Sequence, residues 1–222
     1  KSPDTIRFAT YNGSLYDEEG RLVERLRDGD EHARKVAAVI QHVRPDVLLL
    51  NEFDYDARGE AARIFQREYL GKPQYGQPAI RYRFRFLAPV NTGVPSGLDI
   101  DGDGRTTGPA DAWGFGRHPG QYGMLVLSRF PIDAKCARTF RLLPRHRMPG
   151  ALVPKRPDGT PFYADATWRA LRLSSKSHWD LPIRTPHGRV HLLAHHPTPP
   201  VFDGPEDHNG TRNHDEIRFW AD

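Results

Sequence analysis

The chain has 222 residues, 37% of them hydrophobic and 27% charged, enough to bury a substantial core in one large domain or two small ones. No apolar run approaches the roughly 18 residues that a membrane-spanning helix needs, which excludes a transmembrane protein of that kind. Lys and Arg number 32 against 28 Asp and Glu, a formal charge of +4, and this surplus tolerates phosphate-bearing partners without demanding them. The single cysteine, Cys136, excludes an internal disulfide framework. The start at Lys1, with no apolar leader, leaves open a removed leader or a start within a longer chain.

Thr5 to Asn12 alternates like a strand, with Ile6 and Phe8 on one face and Arg7, Ala9 and Tyr11 on the other. Asp30 to Arg44 reads as a helix: Ala33, Val36, Ala37, Ile40 and Val43 recur at helical spacing, Asp30 supplies an N-cap, and Pro45 stops it. Asp46 to Asn51 is a short unbroken apolar run of the kind found in strands covered on both faces. Strand, helix, buried strand is the layered α/β pattern.

Ile80 to Leu87 predicts a strand with Arg81, Arg83 and Arg85 on one face and Tyr82, Phe84 and Phe86 on the other. Met124 to Leu127 is a second buried strand, and Val190 to His195 a last, alternating one. Between them, Arg138 to Pro157 carries six basic residues and no acid. This segment and the arginine strand suit either phosphate contacts or solvated faces. Trp168 to Trp179 mixes Arg169, Arg172, Lys176 and His178 with three serines, the composition of a polar pocket wall. No repeat or linker divides the chain, so a single domain over 1–222 is expected. Near the end, Asn213 followed by Glu216 resembles a capping box opening a helix. The sequence stops at Asp222, two to three turns later, so a chain cut before its natural end is expected.

Asn12-Gly13 is a hairpin signal or the end of a functional strand. Glu52 lies just past the carboxyl end of the buried run, where ligands of open α/β sheets gather, and is a candidate metal ligand or a solvated loop residue. His191 and His195 are four apart, which on a strand means roughly 13 Å, too far to share an ion. His196, at the strand end before a Pro-rich loop, suits a catalytic role or a surface position. Asp99, Asp101 and Asp103, with Gly102 and Gly104, form the sharpest local motif: alternating carboxylates that wrap Ca²⁺, completed by the Arg105 carbonyl and Asp111, or else an acidic solvated turn. It is no full EF-hand, because position twelve is Ala110.

Four stretches, taken in order, carry a resemblance: Phe8 to Asn12, Arg44 to Glu52, Tyr122 to Ile132, and Val190 to Pro199. Together they resemble the endonuclease/exonuclease/phosphatase superfamily, the fold shared by deoxyribonuclease I, exonuclease III and the inositol polyphosphate 5-phosphatases, and within it bacterial, often exported members. The resemblance implies a four-layer, two-sheet α/β sandwich, here lacking its C-terminal part. It also implies a divalent-metal phosphoesterase that hydrolyses a phosphate mono- or diester by in-line attack of an activated water. Glu52 would ligate Mg²⁺ or Mn²⁺, Asn12 would bond the metal, its water or a phosphate oxygen, and His196 would stabilise or protonate phosphate oxygens, with His195 the weaker candidate. The family's Gly-Asp-x-Asn segment and late Asp-His pair do not occur, and Asp207-His208 comes too early to serve, so the chain by itself is expected to be inactive. Two other readings stand beside the enzyme: a calcium-dependent binding module that kept the fold without the catalysis, and a nuclease-like nucleic-acid binder using the arginine strands. The expected partner is a phosphate-ester substrate, nucleic acid or small phosphorylated molecule. The expected state is a monomer, in an extracellular or periplasmic setting where calcium is available.

Overall fold

The computed structural model describes residues 5–221. Strand β1 (Phe8–Leu15) is followed by α1 (Leu22–Asp28), α2 (Glu31–Val43) and β2 (Val47–Phe53). Helix α2 starts as its sequence dictates: the Asp30 carboxylate accepts the Ala33 N–H at 2.7 Å, satisfying one of the free donors of the first turn. Ala33, Val36, Ala37 and Ile40 form its buried stripe, and it ends where Arg44 turns left-handed (φ 51°) just before Pro45.

β1 and β2 pair in parallel, with Phe8 opposite Val47 and Asn12 opposite Asn51. β4 (Met124–Ser128) runs antiparallel on the other side of β2, and β3 (Phe84–Phe86) closes the order β1-β2-β4-β3. Strands in the middle of a covered sheet have no solvent face. Val47 to Leu50 and the whole of β4 are accordingly buried. The expected strand over Ile80 to Leu87 shrinks to three paired residues, although its alternation persists. Tyr82 is buried and its hydroxyl donates to the Pro45 carbonyl at 3.0 Å, while Arg81, Arg83 and Arg85 are exposed.

A hairpin at Asn12-Gly13 does not form. β1 continues to Leu15 through a bulge, and Gly13 packs closely there: a Cβ would lie 2.9 Å from Leu50 Cδ1, which would have to shift. Helix α3 (Glu60–Ile64) runs on into a π-helical turn over Phe65–Leu70. A second, three-stranded sheet has the order β5-β6-β7, from β5 (Arg138–Thr139), β6 (His178–Thr185) and β7 (Gly188–His195). The β6 strand was not legible as one, since its start read as a polar pocket wall. Helices α4 (Asp165–Ala170) and α5 (His208–Arg218) complete the set, an α/β fold with two sheets.

The chain divides into two compact units, each assembled from three segments. The first holds the four-stranded sheet, α1 to α3, and most of β6 and β7, with a core that includes Leu15, Leu26, Ile40, Leu50 and Phe65. The second comprises Val90–Pro119, Thr139–Trp179 and His195–Asp222. Its interior holds many polar side chains, among them Asn91, Arg145, Ser175 and His178. Asn213 and Glu216 do not cap a helix start, because α5 begins five residues earlier, at His208. From within the helix, Asp215 and Glu216 are fully buried. The Asp215 carboxylate accepts from Arg145 Nε at 2.8 Å and from the Leu152 N–H, and Arg145 is itself only 1% exposed. Arg145 thus belongs to neither a solvated loop nor a phosphate surface.

Removing one partner of such a pair strands the other charge without solvent. Asp215→Ala should lower unfolding stability by about 3–5 kcal/mol, whereas the double change Arg145→Met, Asp215→Leu should cost far less. Urea unfolding of both variants checks this, and a loss below about 1 kcal/mol for Asp215→Ala would contradict it.

Candidate active site

Along β1 the buried side is Tyr11, Gly13 and Leu15, which leaves Thr10, Asn12 and Ser14 on the exposed side. Phe8 therefore lies on the outer face rather than in the core. The bulge at the end of β1 puts Ser14 in the left-handed region (φ 45°), and His32, from the first turn of α2, holds the turn through a 2.8 Å contact between its Nε2 and the Gly13 carbonyl. Glu52, at the end of β2, is also left-handed (φ 56°). Two non-glycine residues in that region, at the adjacent ends of paired strands, mark stored backbone strain of the kind found at functional sites.

The consequence is convergence. Ser14 Oγ lies 3.3 Å from Glu52 Oε2 and 3.5 Å from Asn12 Oδ1, and the Ser14 N–H donates to Asn12 Oδ1 at 3.1 Å. Asn51, opposite Asn12 in register, contacts Thr10 Oγ1 at 3.5 Å through Nδ2, while its buried Oδ1 has no hydrogen-bond partner among the described residues. The sequence had pointed to Asn12 and Glu52, but not to Ser14 or Asn51. Only the bulge, which no local motif signals, turns Ser14 toward the carboxylate.

The end of β2 is clamped from a loop. Phe53 N–H bonds to the Gly123 carbonyl at 3.0 Å and Tyr55 N–H to Gly120 at 2.9 Å, while the Asp54 carboxylate accepts the N–H groups of Asp17 and Tyr122. Gly120 (φ 96°) is required there, since a Cβ would sit 2.5 Å from the Tyr55 carbonyl oxygen.

In the second unit, His196 follows β7 and is half-buried. The segment after it is tied down: Thr198 N–H donates to Glu216 Oε2 at 2.5 Å, and the Thr198 carbonyl accepts from Asn213 Nδ2 at 2.7 Å. Glu216 also accepts the Ser175 N–H at 2.7 Å. Burial alone would raise the Glu216 carboxyl, but the Arg212 and Lys176 charges and these N–H groups outweigh it and hold it below the ordinary carboxylate range. His195 plays a different part. Its ring stacks on His178 at 5.1 Å beside Trp220, and burial, then the neighbouring His178, bring it down to about 4, so this half-buried imidazole is neutral at pH 7. In the first unit, His191 contacts the buried Asp180 at 2.6 Å, and Arg138 donates to the same carboxylate.

In the acidic loop, carboxylate oxygens of Asp99, Asp101 and Asp103 lie within 4.8 Å of one another. The loop's own N–H groups fold around them: Gly102 and Gly104 donate to Asp99 and Arg105 donates to Asp103. Asp111 is buried beside the loop, where its Oδ1 accepts the Ile100 N–H at 2.8 Å.

No helix among the described residues is long and apolar enough to cross a membrane. No curated protein matches the chain by sequence. Similar solved structures include one described as endonuclease/exonuclease/phosphatase from Beutenbergia cavernae DSM 12333, 18% identical over 96% of this chain and 42% of that one, with a TM-score of 0.48. Others are Sphingomyelinase C from Streptomyces griseocarneus (18% identity, 97% and 58% coverage, TM-score 0.44) and a family protein from Leptotrichia buccalis C-1013-b (14%, 86% and 55%, TM-score 0.40). The chain thus spans between 42% and 58% of the length of these structures. The profile of the Endonuclease/Exonuclease/phosphatase family matches residues 17–220, nearly the whole sequence, and the chain belongs to that family.

Proposed function

We propose that the chain forms part of a divalent-metal-dependent phosphoesterase in which Glu52 and Asn12 build the metal site and His196 acts on phosphate oxygens. Members of the family are in general hydrolases of phosphate esters that depend on a divalent metal. The observation that carries the residue assignment is the strained convergence of Asn12, Ser14 and Glu52 at the ends of two paired strands. Its donor set is all oxygen, from a carboxylate, a carboxamide and a hydroxyl, and the unpartnered Asn51 oxygen stands at the adjoining register position. Hard oxygen donors fit Mg²⁺ or Mn²⁺.

A cation bound there would neutralise charge on the phosphoryl group. Glu52 would hold it, and Asn12 would orient a water or a phosphate oxygen beside it. His196, on a segment fixed by Glu216, Asn213 and the following prolines, would donate to the phosphate oxygen on which charge develops. The substrate is a phosphate ester, either nucleic acid or a small phosphorylated molecule.

Glu52→Gln keeps the shape and removes the charge, so it should abolish Mg²⁺-dependent hydrolysis of bis(p-nitrophenyl) phosphate. His196→Ala should lower kcat by about 10²–10⁴-fold while metal binding persists. Wild-type turnover by folded Glu52→Gln protein would place the metal elsewhere. It would also favour the reading of the chain as a calcium-dependent binding module.

We also infer that Asp99, Asp101 and Asp103 hold a structural Ca²⁺, which suits an extracellular or periplasmic setting. Three carboxylates this close repel one another, and a cation relieves that cost. Calcium should raise the melting temperature of the wild type and leave Asp101→Asn nearly unmoved. Identical wild-type melting in calcium and in chelator would exclude the site.

A further inference from the structure

Arg141 and Arg172, in the second unit, both point a guanidinium Nη1 at one neutral atom, Asn91 Oδ1, at 3.5 and 2.5 Å. Two carbonyls fix the orientation of Asn91: it is fully buried, and its Nδ2 donates to the carbonyls of Arg141 and Ser174 at 2.7 and 2.8 Å, which leaves Oδ1 for the two cations. Among the described residues, no carboxylate lies within ion-pair distance of either guanidinium. Arg172 is also stacked over the Trp113 ring, 4.4 Å from its centroid. Arg212 fixes that stack from behind, donating to the backbone carbonyls of Trp113 and Arg172 at 2.8 and 3.0 Å.

Two like charges drawn to one uncharged oxygen, partly out of water, is a costly arrangement. Burial, and then the neighbouring Arg141 charge, depress the Arg172 guanidinium pKa below its ordinary value. Folded proteins neutralise such pairs with an acid side chain or with an anion, and here the acid is missing. Both side chains are half-buried and thus reachable from solvent. Each uses one nitrogen on Asn91 and keeps its remaining N–H groups, in a planar fork that matches the spacing of phosphate oxygens.

We propose that Arg141 and Arg172, aligned by Asn91, form an oxyanion-binding subsite that takes a phosphate group. Its assignment to a phosphate of the substrate rests on the phosphoesterase reading; the anion site itself does not. Lys176 joins the subsite to the His196 segment, since its carbonyl accepts the Asn91 N–H at 2.9 Å and its Nζ reaches the Pro197 carbonyl at 3.5 Å.

The test is calorimetric titration with inorganic phosphate at constant ionic strength in chelator, so that no divalent cation and no turnover are involved. The wild type should bind phosphate saturably, and Arg141→Gln and Arg172→Gln should each weaken binding about tenfold or more. Arg169→Gln, a change in an exposed residue paired with Asp165, should leave it unchanged. If loss of the Trp113 stack unfolds Arg172→Gln, Arg141→Gln, which gives up a single 3.5 Å contact, decides the matter. Parallel titrations with phenyl phosphate and diphenyl phosphate distinguish the sources. Binding as tight as phosphate, lost in the same variants, assigns the site to an ester phosphate, and much weaker binding assigns it to free phosphate. Absence of saturable phosphate binding, or binding indifferent to both substitutions, would overturn the subsite. Either result is independent of whether the protein hydrolyses an ester.

Discussion

The parallel pairing of β1 with β2 is the constraint on which the candidate site depends. Parallel neighbours need a crossover, and α1 and α2 supply it, covering one face of the sheet with the Ala33, Val36, Ala37 and Ile40 stripe. Because both strands then end on the same side, Asn12 and Asn51 face each other, and the two residues after that pair decide what the edge presents. A regular continuation of β1 would keep Ser14 in line with the strand. The bulge, held by His32 and packed closely over Leu50 at Gly13, brings Ser14 against Glu52 instead.

Strain at Ser14 and Glu52 needs surroundings that over-determine it. On the β2 side these are the backbone bonds from Phe53 and Tyr55 to the Gly123 and Gly120 carbonyls, and the Asp54 carboxylate between Asp17 and Tyr122. The second unit solves its own positioning problem by other means. There the organising groups are the buried acids of α5, which bind backbone N–H groups of three loops at once. Buried carboxylates are tolerable only when every oxygen is satisfied, which makes such a network stiff as well as specific.

Much of the first unit could be read directly. The α2 stripe, the Asp30 cap and the apolar run of β2 obey local rules of periodicity and capping, but both strands run further than those rules indicate, β1 through a bulge to Leu15 and β2 to Phe53, so Asn12 and Glu52 lie within the strands rather than beyond them. What could not be read depends on partners distant in sequence. Asn213 and Glu216 have capping-box spacing, yet Glu216 spends its oxygens on Ser175 and Thr198, 41 and 18 residues away. Arg145 sits in an acid-free basic stretch, and its partner Asp215 lies 70 residues further on. β6 carries serines and a lysine before it and histidine at its start, so no hydrophobic alternation announces it. Ser14 was missed because a left-handed serine leaves no trace in composition.

The central claim is that the strained strand ends, rather than the acidic loop, hold the catalytic cation. Paramagnetic titration with Mn²⁺ tests this without reference to any substrate. The account predicts that Glu52→Gln weakens the tightest Mn²⁺ site by about tenfold or more, while Asp101→Asn leaves that site unchanged. Loss of the tightest site in Asp101→Asn, with full retention in Glu52→Gln, would contradict it.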